Sequence, residues 1–271
     1  MNRLLAPAVA LLATTGIAAA QSPVQRGDYL VNSILNCGNC HTPRGPEGAS
    51  KPFAGGNVFE TAAFKVYSPN LTPDKETGLG NWTAEQIKNA IMKGVRPDGT
   101  ALAMMPTGYY AVLTQRDADA IVAYLRSLKP IKNQIPTPEY KVALKPDLSA
   151  PPMGKLKRKP RRGYYLATIG HCMECHTPRE KGVSQIATAL GVGKHEFKGP
   201  WGVSISRNIT SDKEKGLGAW TDAEIKRAIT QGVSRNGDKL KPPMGYAAYA
   251  RMTDKDLSDL IAYLRTVPPK Q

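Results

Sequence analysis

Aromatic residues are scarce in this chain of 271: four Phe, three Trp and eleven Tyr, 7% of the total. A chain long enough for two ordinary domains has too few large rings to fill two side-chain cores, so something other than side chains is expected in the middle. Histidine and cysteine are rarer still, four of each. Beyond residue 20 no apolar run approaches the roughly 20 residues that a membrane-spanning helix needs, and the body of the chain is expected outside the bilayer. No stretch keeps up the polar–apolar alternation of a half-buried strand, so the expected fold is all-α. Acidic residues are outnumbered, 22 against 37 Lys and Arg, giving a formal net charge of +15.

The one long apolar run stands at the N-terminus. Asn2 and Arg3 give a polar, positive start, residues 4–20 are rich in Ala and Leu, and Ala18-Ala19-Ala20 is a small-residue cleavage site. This is the pattern of a secretory signal peptide over 1–20. The run is short for a transmembrane anchor, and Thr14, Thr15 and Gly16 weaken it further. The mature chain is expected in the periplasm. An exported protein rarely meets nucleic acid, so no nucleic-acid partner is expected. The positive charge points instead to an acidic protein surface or an anionic membrane, which leaves peripheral membrane association open.

All four cysteines fall in two copies of one motif, "CGNCHTPR" at 37–44 and "CMECHTPR" at 172–179. Self-similarity continues around them. "NLTPDKETGLGNWTAEQIKNAIMKGV" matches "NITSDKEKGLGAWTDAEIKRAITQGV", and "LTQRDADAIVAYLRSL" matches "MTDKDLSDLIAYLRTV". The offset grows from 135 residues at the cysteines to 139 at the last pair, as short loop insertions would cause. Two homologous domains are expected, at 21–128 and 161–271, joined by a linker over 129–160. Six prolines in "KPIKNQIPTPEYKVALKPDLSAPP" argue for a semi-extended tether, and the Lys/Arg run at its end reads as a solvated charge cluster or a patch for an acidic partner. Within each repeat, Thr83 and Thr221 are placed to cap a helix that Gly94 and Gly232 end. Thr114 and Thr253 cap a last helix whose apolar residues recur at helical spacing.

Three chemistries use Cys-x-x-Cys. A dithiol oxidoreductase needs a thioredoxin-like βαβ setting, which the pattern lacks. A structural zinc site draws its ligands from nearby segments, whereas here 135 residues separate the pairs. With His immediately following, Cys-x-x-Cys-His is the signature of covalent haem c attachment: Cys37 and Cys40, and Cys172 and Cys175, would each bind one porphyrin, with His41 and His176 on the iron. Two covalently attached haem c groups would also supply the apolar mass that the aromatic count lacks.

With an N-terminal helix, Cys-x-x-Cys-His, a loop, a Met followed by Pro or Gly, and a last helix ending in Ala-Tyr-Leu-Arg, each repeat resembles a class I c-type cytochrome domain. "NLTPD", "TGLG", "MMPTGYY" and "PPMGYAAY" resemble more narrowly the cytochrome c subunits of bacterial membrane-bound alcohol and gluconate dehydrogenases. That resemblance implies a periplasmic or membrane-bound dehydrogenase as electron donor. It also implies a distal Met on each iron. Alignment through Tyr110 and Tyr249 matches Met105 with Met244 and leaves Met104 opposite Pro243, so Met105 is preferred and Met104 is the alternative. Met92, Met173 and Met252 read as core filling. His171 reads as a solvated side chain and His195 as an ordinary surface histidine, with a switching ligand to the second iron as the alternative for His195. Tyr67, Trp82, Trp201 and Trp220 are candidates to border the haem edges. His/Met ligation raises the reduction potential and suits a carrier that delivers electrons to a terminal oxidase or a soluble cytochrome. A dihaem enzyme of peroxidase or thiosulfate-oxidising type would need an open iron position, which paired Met candidates argue against.

Overall fold

The computed structural model describes residues 21–102, 104–143, 150–180 and 182–271. The expected signal peptide lies outside the described residues. Local chemistry starts the helices as the sequence indicates. Ser22 caps α1 (Pro23–Asn32) in a reciprocal box with Gln25, and Pro23 takes the first helical position. The four-residue helix α2 is Gly38–His41. Thr83 caps α3 (Ala84–Lys93) in a box with Gln86, and Gly94, at φ 66°, ends it. After the short α4 (Thr107–Tyr110), α5 (Gln115–Ser127) is capped by Thr114. The second half repeats the series as α6 (Arg158–Ile169), α7 (Cys172–Cys175), α8 (Ile186–Ala189), α9 (Asp222–Gln231), α10 (Tyr246–Tyr249) and α11 (Asp254–Leu264). Thr221 and Thr253 cap α9 and α11, and Gly232 ends α9.

An all-α fold does not hold. Short antiparallel strands occupy the loops: β1 (Val58–Glu60), β2 (Phe64–Tyr67) and β3 (Glu139–Tyr140) form one sheet in that order. In the second half β4 (Arg179–Glu180) pairs with β5 (Val183–Ser184), and β6 (Glu196–Gly199) with β7 (Gly202–Ile205). Strands of two to four residues are too short to show a period of two, and they lie among glycines and prolines that read as irregular loop. The fold is mixed, with helices carrying the core and hairpins shaping the loops.

In each half the first and last long helices cross backbone to backbone. A Cβ on Gly27 would stand 2.0 Å from the Ala120 carbonyl oxygen, and one on Gly163 would stand 1.9 Å from that of Asp259. Only glycine allows α1 to meet α5, and α6 to meet α11, this closely. The first part of the Pro/Lys-rich segment is pinned to the first half, and its last residues belong to α6, which starts at Arg158 and not at the expected boundary of 161. Ile131 bonds Asn70 and Thr72, Asn133 bonds Thr77 and Ala54, and β3 joins β2. The same role in the second half falls to the C-terminal segment, where the Lys270 carbonyl accepts from Asn208 at 2.6 Å.

The two halves meet in a reciprocal exchange. Arg26 holds Asp117 through two bonds of 2.9 and 3.0 Å, and Tyr165 of the other half donates to the same carboxylate at 2.6 Å. Arg162 holds Asp256, to which Tyr29 of the first half donates at 2.7 Å. Both carboxylates are buried, and one continuous apolar cluster includes residues of both halves. Burial works against the Asp117 carboxylate, but hydrogen bonds from Arg26 and Tyr165 outweigh it and hold its pKa below the ordinary value. A depressed pKa contributes stability above the unfolded value of about 3.9 and loses it as pH falls through the folded one. Tyr165→Phe is therefore expected to cost about 1.5–3 kcal/mol near neutrality, the worth of a hydrogen bond to a charged group. Chemical denaturation should show that difference shrinking on acidification below the Asp117 pKa; a difference that stayed constant into acid would refute the assignment.

Candidate functional site

A left-handed residue launches each motif: Asn36 at φ 48° and His171 at φ 41°. A single helical turn follows. The His41 amide bonds the Cys37 carbonyl, and the His176 amide that of Cys172, both at 3.0 Å, so the two sulfurs and the imidazole of each motif project from one turn. No disulfide joins any of the four cysteines, which leaves every sulfur available for attachment. In the polypeptide before any attachment, loss of hydration pushes the Cys37 and Cys172 thiols up to about 12.

Each histidine is oriented from behind. Nδ1 of His41 lies 3.0 Å from the Pro69 carbonyl oxygen, and Nδ1 of His176 lies 2.6 Å from that of Arg207. A carbonyl can only accept, so Nδ1 carries the proton and Nε2 is left with a free lone pair. Burial lowers the pKa of both rings against the opposing effect of those bonds, which keeps them neutral, as a metal ligand must be. Sequence reasoning missed Pro69 and Arg207 because a backbone carbonyl has no residue-type signature. The next residue of each repeat opens the matched segments "NLTPD" and "NITSD". The Asn70 side chain bonds the Ile131 carbonyl and Thr72, and Asn208 bonds Lys270 and Thr210, anchoring the loop that presents each carbonyl.

Asn57 was also missed. Its amide nitrogen bonds the Cys40 and Thr42 carbonyls, each at 2.7 Å, and clamps the first motif from outside. In the second half His195 occupies the matching place: its amide bonds Ser206 Oγ as that of Asn57 bonds Ser68 Oγ. The His195 ring is half-buried and stacks on Phe197 at 4.4 Å. His171 is not a solvated side chain either. It packs edge-on to Tyr110 of the other half, with centroids 6.2 Å apart, and its Nδ1 lies 3.3 Å from Glu174.

Of the methionines, Met105 and Met244 are partly buried against the apolar cluster, each just ahead of a short helix, α4 or α10. Met104 is 54% exposed, in left-handed backbone at φ 62°. Met173 and Met252 are buried, and Met92 packs against the same cluster, all as core filling. Trp82 and Trp220 pack on that cluster too, and their carbonyls accept from Arg126 and Arg265. The Trp201 indole nitrogen is buried with no hydrogen-bond partner among the described residues. Tyr67 lines a cleft of about 410 Å³ with Pro69, Arg96, Thr100 and Tyr140, next to the carbonyl that orients His41.

Among the described residues no three His, Cys, Asp or Glu side chains converge as a metal cage. Two adjacent thiols, a neutral imidazole with Nε2 free and a half-buried thioether in a loop do fit a covalently held porphyrin iron, and the set occurs twice. Among the described residues no helix is long and apolar enough to cross a membrane.

Comparison with known proteins bears on the same segments. The family model "Cytochrome c" matches residues 24–129 and again 161–268. The chain is 31% identical to the fructose dehydrogenase cytochrome subunit of Gluconobacter japonicus over 94% of its own length and 55% of that protein. It is 30% identical to the cytochrome c subunit of the quinone alcohol dehydrogenase of Gluconobacter oxydans, over 97% of its length and 60% of the relative's. A diheme c-type cytochrome of Cereibacter sphaeroides is 26% identical over 86% of this chain and 82% of its own. The chain thus spans a little over half the length of the two dehydrogenase subunits.

Proposed function

The chain belongs to the cytochrome c family, and from that premise we propose that it is a periplasmic dihaem electron carrier, a redox partner of a dehydrogenase and not itself the catalytic subunit. One haem c is assigned to Cys37, Cys40, His41 and Met105 in a domain over 21–128. The other is assigned to Cys172, Cys175, His176 and Met244 in a domain over 161–271, with 129–160 as the connecting segment. When bound, haem c supplies reversible one-electron exchange at iron. The protein's own part is to fix geometry. Pro69 and Arg207 hold the imidazoles in one tautomer, and a thioether on the other face would raise the potential. The observation that carries this reading is that the full donor set occurs twice with the same backbone support.

The donor is proposed to be a periplasmic or membrane-bound dehydrogenase, because the chain aligns with cytochrome subunits of fructose and alcohol dehydrogenases over nearly all of its length. A terminal oxidase or soluble cytochrome would accept the electrons, and the basic surface would favour acidic docking faces. Periplasmic preparations are expected to show two haems per chain in a pyridine haemochrome assay. The ferric protein should have two low-spin centres and the weak far-red band of thioether ligation. A high-spin fraction with peroxide turnover would reassign the chain to a dihaem enzyme.

A further inference from the structure

The residue before the first cysteine of each motif reaches into the other half, and in one case it meets the loop carrying the distal methionine. A Cβ built on Gly245 would lie 2.1 Å from the Asn36 side-chain nitrogen and 3.1 Å from its Cγ. Gly245 immediately follows Met244 and opens α10. Asn36 immediately precedes Cys37, and its left-handed φ of 48° turns the chain into the motif. The side chain of one attachment segment therefore lies against the backbone on which the thioether of the other half is mounted. The mirror contact exists as well. His171, left-handed at φ 41°, packs edge-on to Tyr110, the last residue of α4, which begins two residues after Met105.

We propose that Asn36 is a positioning residue for Met244, so that the first domain holds the distal loop of the second and fixes how readily its iron exchanges the thioether. This rests on the assignment of Met244 as an iron ligand. The residue types agree with it. Pro106 stiffens the first loop through its ring, whereas the matching Gly245 contributes no side chain, and its position is instead occupied from outside by Asn36. A loop held by a contact from another domain can loosen when that contact is altered, without change to its own sequence. The first domain would then set the ligand-exchange behaviour of the second haem through packing alone.

The test is an imidazole titration of the full ferric haem-loaded chain, following loss of the far-red band at each centre. Gly245→Ala sets its new methyl against the Asn36 amide, so the Asn36 side chain, the loop or both must shift. Imidazole should then bind one of the two haems about tenfold more tightly, a change of ~1.4 kcal/mol, and the other as before. Asn36→Gly keeps the left-handed backbone unstrained and removes the support, so it should raise the affinity of that same haem by a smaller factor. The double variant Asn36→Gly/Gly245→Ala has room for the methyl and should fall back to the level of Asn36→Gly alone, a coupling that only a direct contact produces. If Gly245→Ala does not accumulate, the Asn36→Gly titration decides by itself. An unchanged titration in both single variants, or a double variant equal to the sum of the singles, overturns this proposal and leaves the ligand assignment standing. Absence of the far-red band from the unmodified protein overturns both.

Discussion

A chain carrying Cys172→Ala and Cys175→Ala is expected to hold one haem, and its second half is expected to lose cooperative unfolding. The argument starts from the shortage of aromatic residues. The buried side chains of this half are mostly aliphatic, with Leu166, Ile169, Ile225 and Leu257 all at or below 2% exposure and Tyr249 at 9%. They surround a segment whose thiols and imidazole are suited to gripping a plate. A group that binds only the folded state stabilises it, and one tethered through sulfur cannot be lost by dilution. Its removal should cost more than about 4 kcal/mol, in the tail of effects associated with losing a metal or a linked group. Because α6 and α11 also supply Tyr165 and Asp256 to the junction, the damage should reach the first half as a lowered melting temperature. Intact mass, haemochrome yield and differential scanning calorimetry read the three effects. A variant that still carried two haems, or melted as the parent does, would contradict the attachment assignment.

Met105→Ala is expected to remove the thioether band of one centre and to lower its potential by on the order of 100 mV or more, a fraction of the ~0.8 V span that axial ligands command. Met104→Ala should leave the spectrum as it was. The contrast follows from where the two side chains lie: Met105 packs against the apolar cluster, and its neighbour is more than half exposed. Sulfur must face iron from a buried, low-dielectric position to favour the reduced state, and a side chain in water does neither job. Potentiometric titration of both variants beside Met244→Ala checks the assignment. Equal shifts from Met104→Ala and Met105→Ala would undo it.

The legible part of this molecule was the local part. Thr83 with Gln86, Thr221 with Glu224, and the closing Gly94 and Gly232 are short-range devices, and they stand where the capping pattern puts them. The two motifs were legible because covalent chemistry demands fixed residues at fixed spacing. Strands of two to four residues were not, since no period can show in so few positions. Aligning the cysteines also misaligns the helices before them, pairing Gly27 with Arg162. Packing pairs Gly27 with Gly163, both against the last helix of their own half, so one residue has been gained or lost between helix and motif. The junction was out of reach altogether. Tyr29 and Asp256 are 227 residues apart, and nothing near either one names the other.

That junction has a bearing on ancestry. Each tyrosine enters the arginine–aspartate pair of the opposite half, and equivalent residues exchange roles between the halves. Such self-complementary pairing is how two identical subunits join. A gene duplication that fused two copies of a self-associating single-haem protein would arrive at it without inventing a new surface, and the polypeptide joining the halves would then fix permanently what had been a reversible homodimer.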